Sequence, residues 1–145
     1  MKTPLFFITV LTLVFSSVVS AKSIDSLAEY ETDLVACLST AKASKVCLTK
    51  LSGEYFYTEG TLEKGIDTIV NSYLTWIGEN SVFHVYKVND IHKGDFQVKQ
   101  DFIVENTKGN LFVVSISYRK KLGMWQLNNI TVSSKKNKIS EILSL

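Results

Sequence analysis

Residues 94–106 read GDFQVKQDFIVEN. Phe96, Val98, Phe102 and Val104 fall on one side of a period-two ladder, and Gln97, Lys99, Asp101 and Glu105 fall on the other. Side chains of a strand point alternately to opposite faces, so this pattern predicts a strand with one face in the core and the other wet. Gln100 interrupts the apolar stripe. The same period continues on both sides of the stretch. Strand-like runs cover residues 82–91, 95–106, 110–121 and 124–133, separated by His92-Lys93-Gly94, Thr107-Lys108-Gly109 and Leu122-Gly123. Short connections bearing glycine join antiparallel neighbours, so the four runs predict a meander. Phe112, Val114, Ile116 and Tyr118 share a face of the third run. On the fourth, Trp125 and Leu127 give way to Ile130 and Val132, a change of parity that predicts a bulge at Asn128-Asn129.

Before residue 82 the period is helical. Leu62, Ile66, Ile69, Val70, Tyr73, Leu74 and Ile77 recur at steps of three and four, with Trp76 beside them, and Gly78 and Asn80 suit a left-handed stop. An earlier stripe runs through Ile24, Leu27, Tyr30, Leu34, Cys37 and Leu38, with Ser23 as the expected cap and Glu29, Glu31 and Asp33 on the polar face. Ser44 opens a shorter helix through Val46, Cys47, Leu48 and Leu51 that stops near Gly53. Tyr55 to Thr58 reads as a short strand or extended link. The fold class expected is α+β, with N-terminal helices packed on an antiparallel four-stranded meander.

The chain has 145 residues. Lys2 precedes an apolar run from Leu5 to Phe15, broken only by Thr9 and Thr12, and the stretch ends in Val19-Ser20-Ala21. This is the pattern of a secretory signal peptide cleaved after Ala21. It places the product in a periplasmic or extracellular space with no stable membrane anchor after cleavage. A single domain over residues 22–145 follows, with residues 135–145 as a flexible tail. Cleavage takes Lys2 from the 16 basic residues and leaves 15 against 14 acidic ones. That balance points to neither nucleic acid nor an anionic membrane as partner. Residues 22–81 hold five lysines against nine acids, and residues 82–145 hold nine lysines and Arg119 against five. Acidic helix surface beside basic sheet surface accounts for this asymmetry. Two cysteines in an oxidising compartment, Cys37 and Cys47, are expected to form a disulfide stapling the first two helices. With only His84 and His92 besides, no metal site is expected, and no cofactor is implied.

The order helix, short helix, short strand, long helix and four-strand meander resembles the nuclear-transport-factor-two-like superfamily. This is the cystatin-like, cone-shaped α+β fold shared with ketosteroid isomerases and scytalone dehydratase. The resemblance spans nearly all of residues 22–145 and rests on Gly94-Asp95 in a hairpin and on Gly123-Met124-Trp125-Gln126-Leu127 in the last strand. These are patterns of the fold and of no single activity. The resemblance implies helices against the concave side of a bent sheet, with a pocket between them.

Spacing nominates Tyr57, Tyr73, Trp76, His84, Tyr86, Gln100 and Tyr118 for that pocket. Isomerase-like members pair a carboxylate base with a tyrosine and a second acid, because removing a proton beside a carbonyl needs both a base and an oxyanion donor. No inward carboxylate is apparent: Asp33 and Asp101 fall on the polar faces of their elements, and no catalytic residue is assigned. The expected function is a secreted or periplasmic non-catalytic binding module holding a small apolar ligand or a partner protein. The alternatives are an isomerase- or dehydratase-like enzyme of the same fold and an immunity or assembly protein. A homodimer stays open, since Ile103 and Val113 would lie on the outer sheet face.

Overall fold

The computed structural model describes residues 23–40, 44–55 and 62–143. The expected leader and cleavage point, Tyr57 and the link after Tyr55 lie outside the described residues. The elements are α1 (Leu27–Ser39), α2 (Ser44–Tyr55), α3 (Leu62–Ile77), β1 (Val82–Lys93), β2 (Gln97–Asn106), β3 (Leu111–Lys121), β4 (Met124–Ser133) and α4 (Lys136–Leu143). Among them, no helix is long and apolar enough to cross a membrane.

The sheet is the meander its sequence pattern predicts, antiparallel in the order β1-β2-β3-β4. The β4 register steps between Ser117↔Asn129 and Tyr118↔Leu127, leaving Asn128 as the extra residue of a bulge. Gly78 ends α3 at φ 55, and its N–H donates to the Leu74 carbonyl at 3.0 Å, the left-handed stop that glycine adopts without steric cost. Helix α1 starts later than Ser23. Ser26 is its cap, accepting the Glu29 N–H at 3.3 Å, because Ile24 is engaged elsewhere: its N–H donates to the Trp125 carbonyl at 2.8 Å.

Helices α1, α2 and α3 cover one face of the sheet. Tyr30, Leu34, Leu38, Leu48, Leu51, Ile66, Val70 and Tyr73 pack there with Val98, Phe102, Val104, Phe112, Val114, Ile116, Tyr118 and Leu127. Two tyrosine hydroxyls tie the helices together. Tyr30 Oη donates to the Leu51 carbonyl at 3.1 Å, and Tyr73 Oη donates to the Leu38 carbonyl. The Leu38 carbonyl is one that the end of α1 leaves without an internal partner, and the Leu51 carbonyl lies in the last turns of α2. Burial raises the pKa of both phenols, so both remain neutral donors. Cys37 and Cys47 join α1 to α2 at disulfide distance, with Cα atoms 5.7 Å apart.

The other face departs from expectation. Residues 136–143, expected within a flexible tail, form α4, which packs the buried Ile142 with Ile103 and Val113 and is joined by Val88, Leu111, Ile139 and Leu143. The apolar patch that left a homodimer open is covered by the chain itself. Asp101, expected to face water, is 1% exposed. Burying a carboxylate is costly unless it is bonded. Asn89 Nδ2 and Lys99 Nζ each donate to Asp101 Oδ2 at 3.1 Å, and Ser115 faces it across the ladder. Asn89 Nδ2 also reaches the Ile142 carbonyl at 3.4 Å, linking this cluster to α4.

Removing the Cys37–Cys47 link by Cys37→Ser with Cys47→Ser frees a ten-residue separation in the unfolded chain. It is expected to lower stability by about 2–3 kcal/mol in urea titration; an unchanged midpoint would sink this assignment. Burial alone would push the Asp101 pKa up, but its contacts with Ser115, Asn89 and Lys99 outweigh that and hold it below the ordinary 3.8. Its stabilisation is therefore complete above that value and is lost as pH falls through the lowered folded pKa. Asp101→Asn is expected to flatten the loss of stability at pH values below 3.8, read by urea midpoints at successive pH values.

Candidate functional site

The most polar part of the α1–α3 face lies where α1 crosses β1. Register shifts in β1 between Val82 and His84 and between Lys87 and Asn89 turn Val85, Lys87, Asp90 and His92 toward this face, opposite Val104, Phe102, Gln100 and Val98. Helix α1 brings Glu31, one residue beyond the buried Tyr30. Lys87 Nζ donates to Glu31 Oε2 at 2.9 Å and to Asp90 Oδ2 at 3.2 Å. Gln100 Nε2 donates to the same two oxygens at 3.0 and 3.4 Å. His92 Nε2 lies 3.1 Å from Asp90 Oδ1. The hydrogen bond that Lys87 donates to Glu31, with a smaller one to Asp90, raises the Lys87 pKa against some opposition from burial.

Tyr118 stands on β3 opposite Val98 and packs edge-on against Tyr30 at 5.7 Å. Burial, followed by the fields of Tyr30, Glu31 and Asp90, raises its pKa, so it is a neutral phenol. Its hydroxyl and Gln100 Oε1 are both buried without a protein partner. Two carboxylates thus face one lysine, beside two buried oxygens with unused acceptor capacity. The two buried oxygens are closed off from the surface, whereas the Glu31 and Asp90 carboxylates remain part-exposed and can accept from a donor outside the fold. Among the described residues, no group of three or more His, Cys, Asp or Glu side chains forms a metal-binding cluster.

Of the residues nominated by spacing, this region unites Gln100 and Tyr118. Tyr73 lies in the core, 5.6 Å from Phe112. Trp76 is half-buried against Phe112 at 5.0 Å and lines a groove of about 480 Å³ with Asn110, Leu111, Ser134 and Ile139. His84 and Tyr86 are exposed, with ring centroids 4.2 Å apart and planes tilted by 45°. Tyr86 pairs with Ile103, hence on the α4 face, and its hydroxyl donates to Glu105 at 3.2 Å. Tyr57 is outside the described residues. Period-two counting from Val82 carries His84 and Tyr86 inward, and the bulge after Val82 reverses that parity. It also hides Lys87 from the count, whereas the second bulge restores the parity, so Asp90 falls in phase with Val82. Glu31 lies on the charged side of α1, where burial under β1 is not legible.

Between helices and sheet, the cavity bounded by Leu34, Leu38, Leu48, Tyr73, Ile116 and Ile130 measures about 20 Å³. That is space for a single water. No protein-family model, curated protein or solved structure matches the chain.

Tyr118 and Tyr73 give a paired stability test. Tyr73→Phe deletes a made hydrogen bond and is expected to cost about 1 kcal/mol, whereas Tyr118→Phe deletes a hydroxyl without a protein partner and should be neutral or stabilising. Urea midpoints showing the larger loss at Tyr118 would place a strong partner on its hydroxyl.

Proposed function

We propose that the chain is a secreted or periplasmic non-catalytic binding module, built on the nuclear-transport-factor-two-like cone, that holds a partner protein. The observation that carries this reading is the pair of part-exposed carboxylates, Glu31 and Asp90, held on one margin by Lys87 and by the buried amide of Gln100. A cationic or amide-bearing side chain of a partner would complete it, because a charged hydrogen bond in a desolvated setting contributes about 1.5–3 kcal/mol. The small-ligand form of the reading has less support, since the apolar interior bounded by Leu34, Tyr73 and Ile116 leaves about 20 Å³. The order of elements supports the cone, and the paired cysteines fit an oxidising compartment.

A second reading, an isomerase- or dehydratase-like enzyme, is favoured by one observation: Tyr118 is a neutral phenol in the field of Glu31 and Asp90. Those are the donor and carboxylates such chemistry needs. Against it, both carboxylates engage Lys87 and Gln100, so neither is a free base.

Affinity capture from exporting cells tests the main reading. Glu31→Gln combined with Gln100→Leu is expected to lower recovery of the partner by roughly tenfold, about 1.4 kcal/mol, with circular dichroism unchanged. Equal recovery by the variant and the parent would remove the cluster from recognition.

A further inference from the structure

The turns at residues 94–96 and 122–123 stand at one end of the sheet, joined by the Lys120 N–H donating to the Phe96 carbonyl at 2.7 Å. The second is a two-residue turn with both residues at positive φ, Leu122 at 50 and Gly123 at 82. Such turns favour Asn, Asp or Gly, because a side chain on Cβ crowds the backbone there. Leu122 is nonetheless the one non-glycine residue with positive φ among the described residues, and it is 90% exposed. Leucine at this position is strained and leaves its side chain in water, so folding does not account for it.

Leu122 is not alone. Phe96 is 54% exposed and Met124 48%. Behind them the ladder pairs Lys121 with Met124 and Lys120 with Trp125, whose ring lies 5.6 Å from Lys120 Nζ. Arg119 lies opposite Gln97, and Lys93 closes β1. Residues 93–96 and 119–125 carry Lys93, Arg119 and Lys120 besides the already engaged Lys121, against Asp95 and, through the Ile24–Trp125 bridge, the neighbouring Asp25. The chain as a whole is close to neutral, so this charge is visible only once the fold brings the two turns together.

We propose that this end of the sheet is a reversible contact for an anionic lipid surface. Leu122, Phe96 and Met124 enter the boundary between headgroups and acyl chains, and the basic side chains set one or two residues back meet the lipid charge. Apolar tips backed by lysines and an arginine are the chemistry that such a surface recognises. The apolar groups crown projecting turns and do not line a groove, which suits insertion into a fluid boundary. The surface is separate from the Gln100–Tyr118 cluster, so this inference does not depend on the reading of that site.

The test is cosedimentation of the exported protein, purified as its host processes it, with phosphatidylcholine vesicles made with or without phosphatidylglycerol. Binding is expected to the anionic vesicles only and to weaken with salt. Leu122→Asn should reduce it by roughly tenfold, and Lys120→Gln by roughly fivefold. Leu122→Asn places a favoured residue in the turn, so its urea midpoint should hold or rise, which separates lost binding from lost fold. Parent and variant share the same N-terminus, so their difference reports the turn alone. No binding to anionic vesicles, equal binding to neutral ones, or unchanged binding by Leu122→Asn would each overturn the proposal.

Discussion

From Gln100 to Val104 every side chain of β2 is withdrawn from water, because α1–α3 close over one face and α4 over the other. Three of those five residues are apolar and two are not. Gln100 points toward the three-helix face and Asp101 toward the α4 face, and a buried amide and a buried carboxylate each need partners. The polar architecture follows from that need. Glu31, Lys87 and Asp90 assemble around Gln100, while Asn89, Lys99 and Ser115 surround Asp101. Adjacent positions on β1, Asn89 and Asp90, serve opposite faces, as the pleat dictates.

The three-helix layer is held by few but specific links. Tyr30 and Tyr73 span between helices and place their hydroxyls on carbonyls of α2 and α1, and the Cys37–Cys47 pair closes the remaining corner. These links fix the helices over a filled interior. The exposed polar and apolar features that remain lie at the margins of the fold: the edge where α1 meets β1, and the end of the sheet that carries the turns at residues 94–96 and 122–123. A small domain with a filled core can devote its rim to partners because the rim contributes little to its stability.

The fold was largely legible in the sequence. Period two from residue 96 onward, glycines at the hairpins and the Ile66–Ile77 stripe gave four strands, their order and α3, and the parity change in β4 located the bulge at Asn128. The margins were not. Ile139, Ile142 and Leu143 hold too short a stripe to reveal a helix, and their target, Ile103 and Val113, lies far back in the chain. Asp101 reads as solvent-facing until α4 covers it. In the site, Gln100 was legible as an inward interruption of an apolar stripe and Tyr118 as the last member of one. Lys87 and Glu31 were not: the bulge after Val82 shifts the parity at Lys87, and a helix packing on a strand edge leaves no periodic mark, while Asp90 keeps the parity of Val82 and could have been found by that count.

Those bulges have a consequence for the behaviour of the protein in concentrated solution. β1 forms one border of the sheet, with its outer side unpaired to any strand among the described residues. A straight border strand is a template for another chain, and twelve residues would make a long one. The two register shifts break that template into short segments, and Lys87, Asp90 and Lys93 place charges along it. An approaching strand would find no long uninterrupted row of matching donors and acceptors and would have to desolvate ions to dock. The irregularity that sets Lys87 and Asp90 on one face also guards the sheet against growing by addition of its own copies.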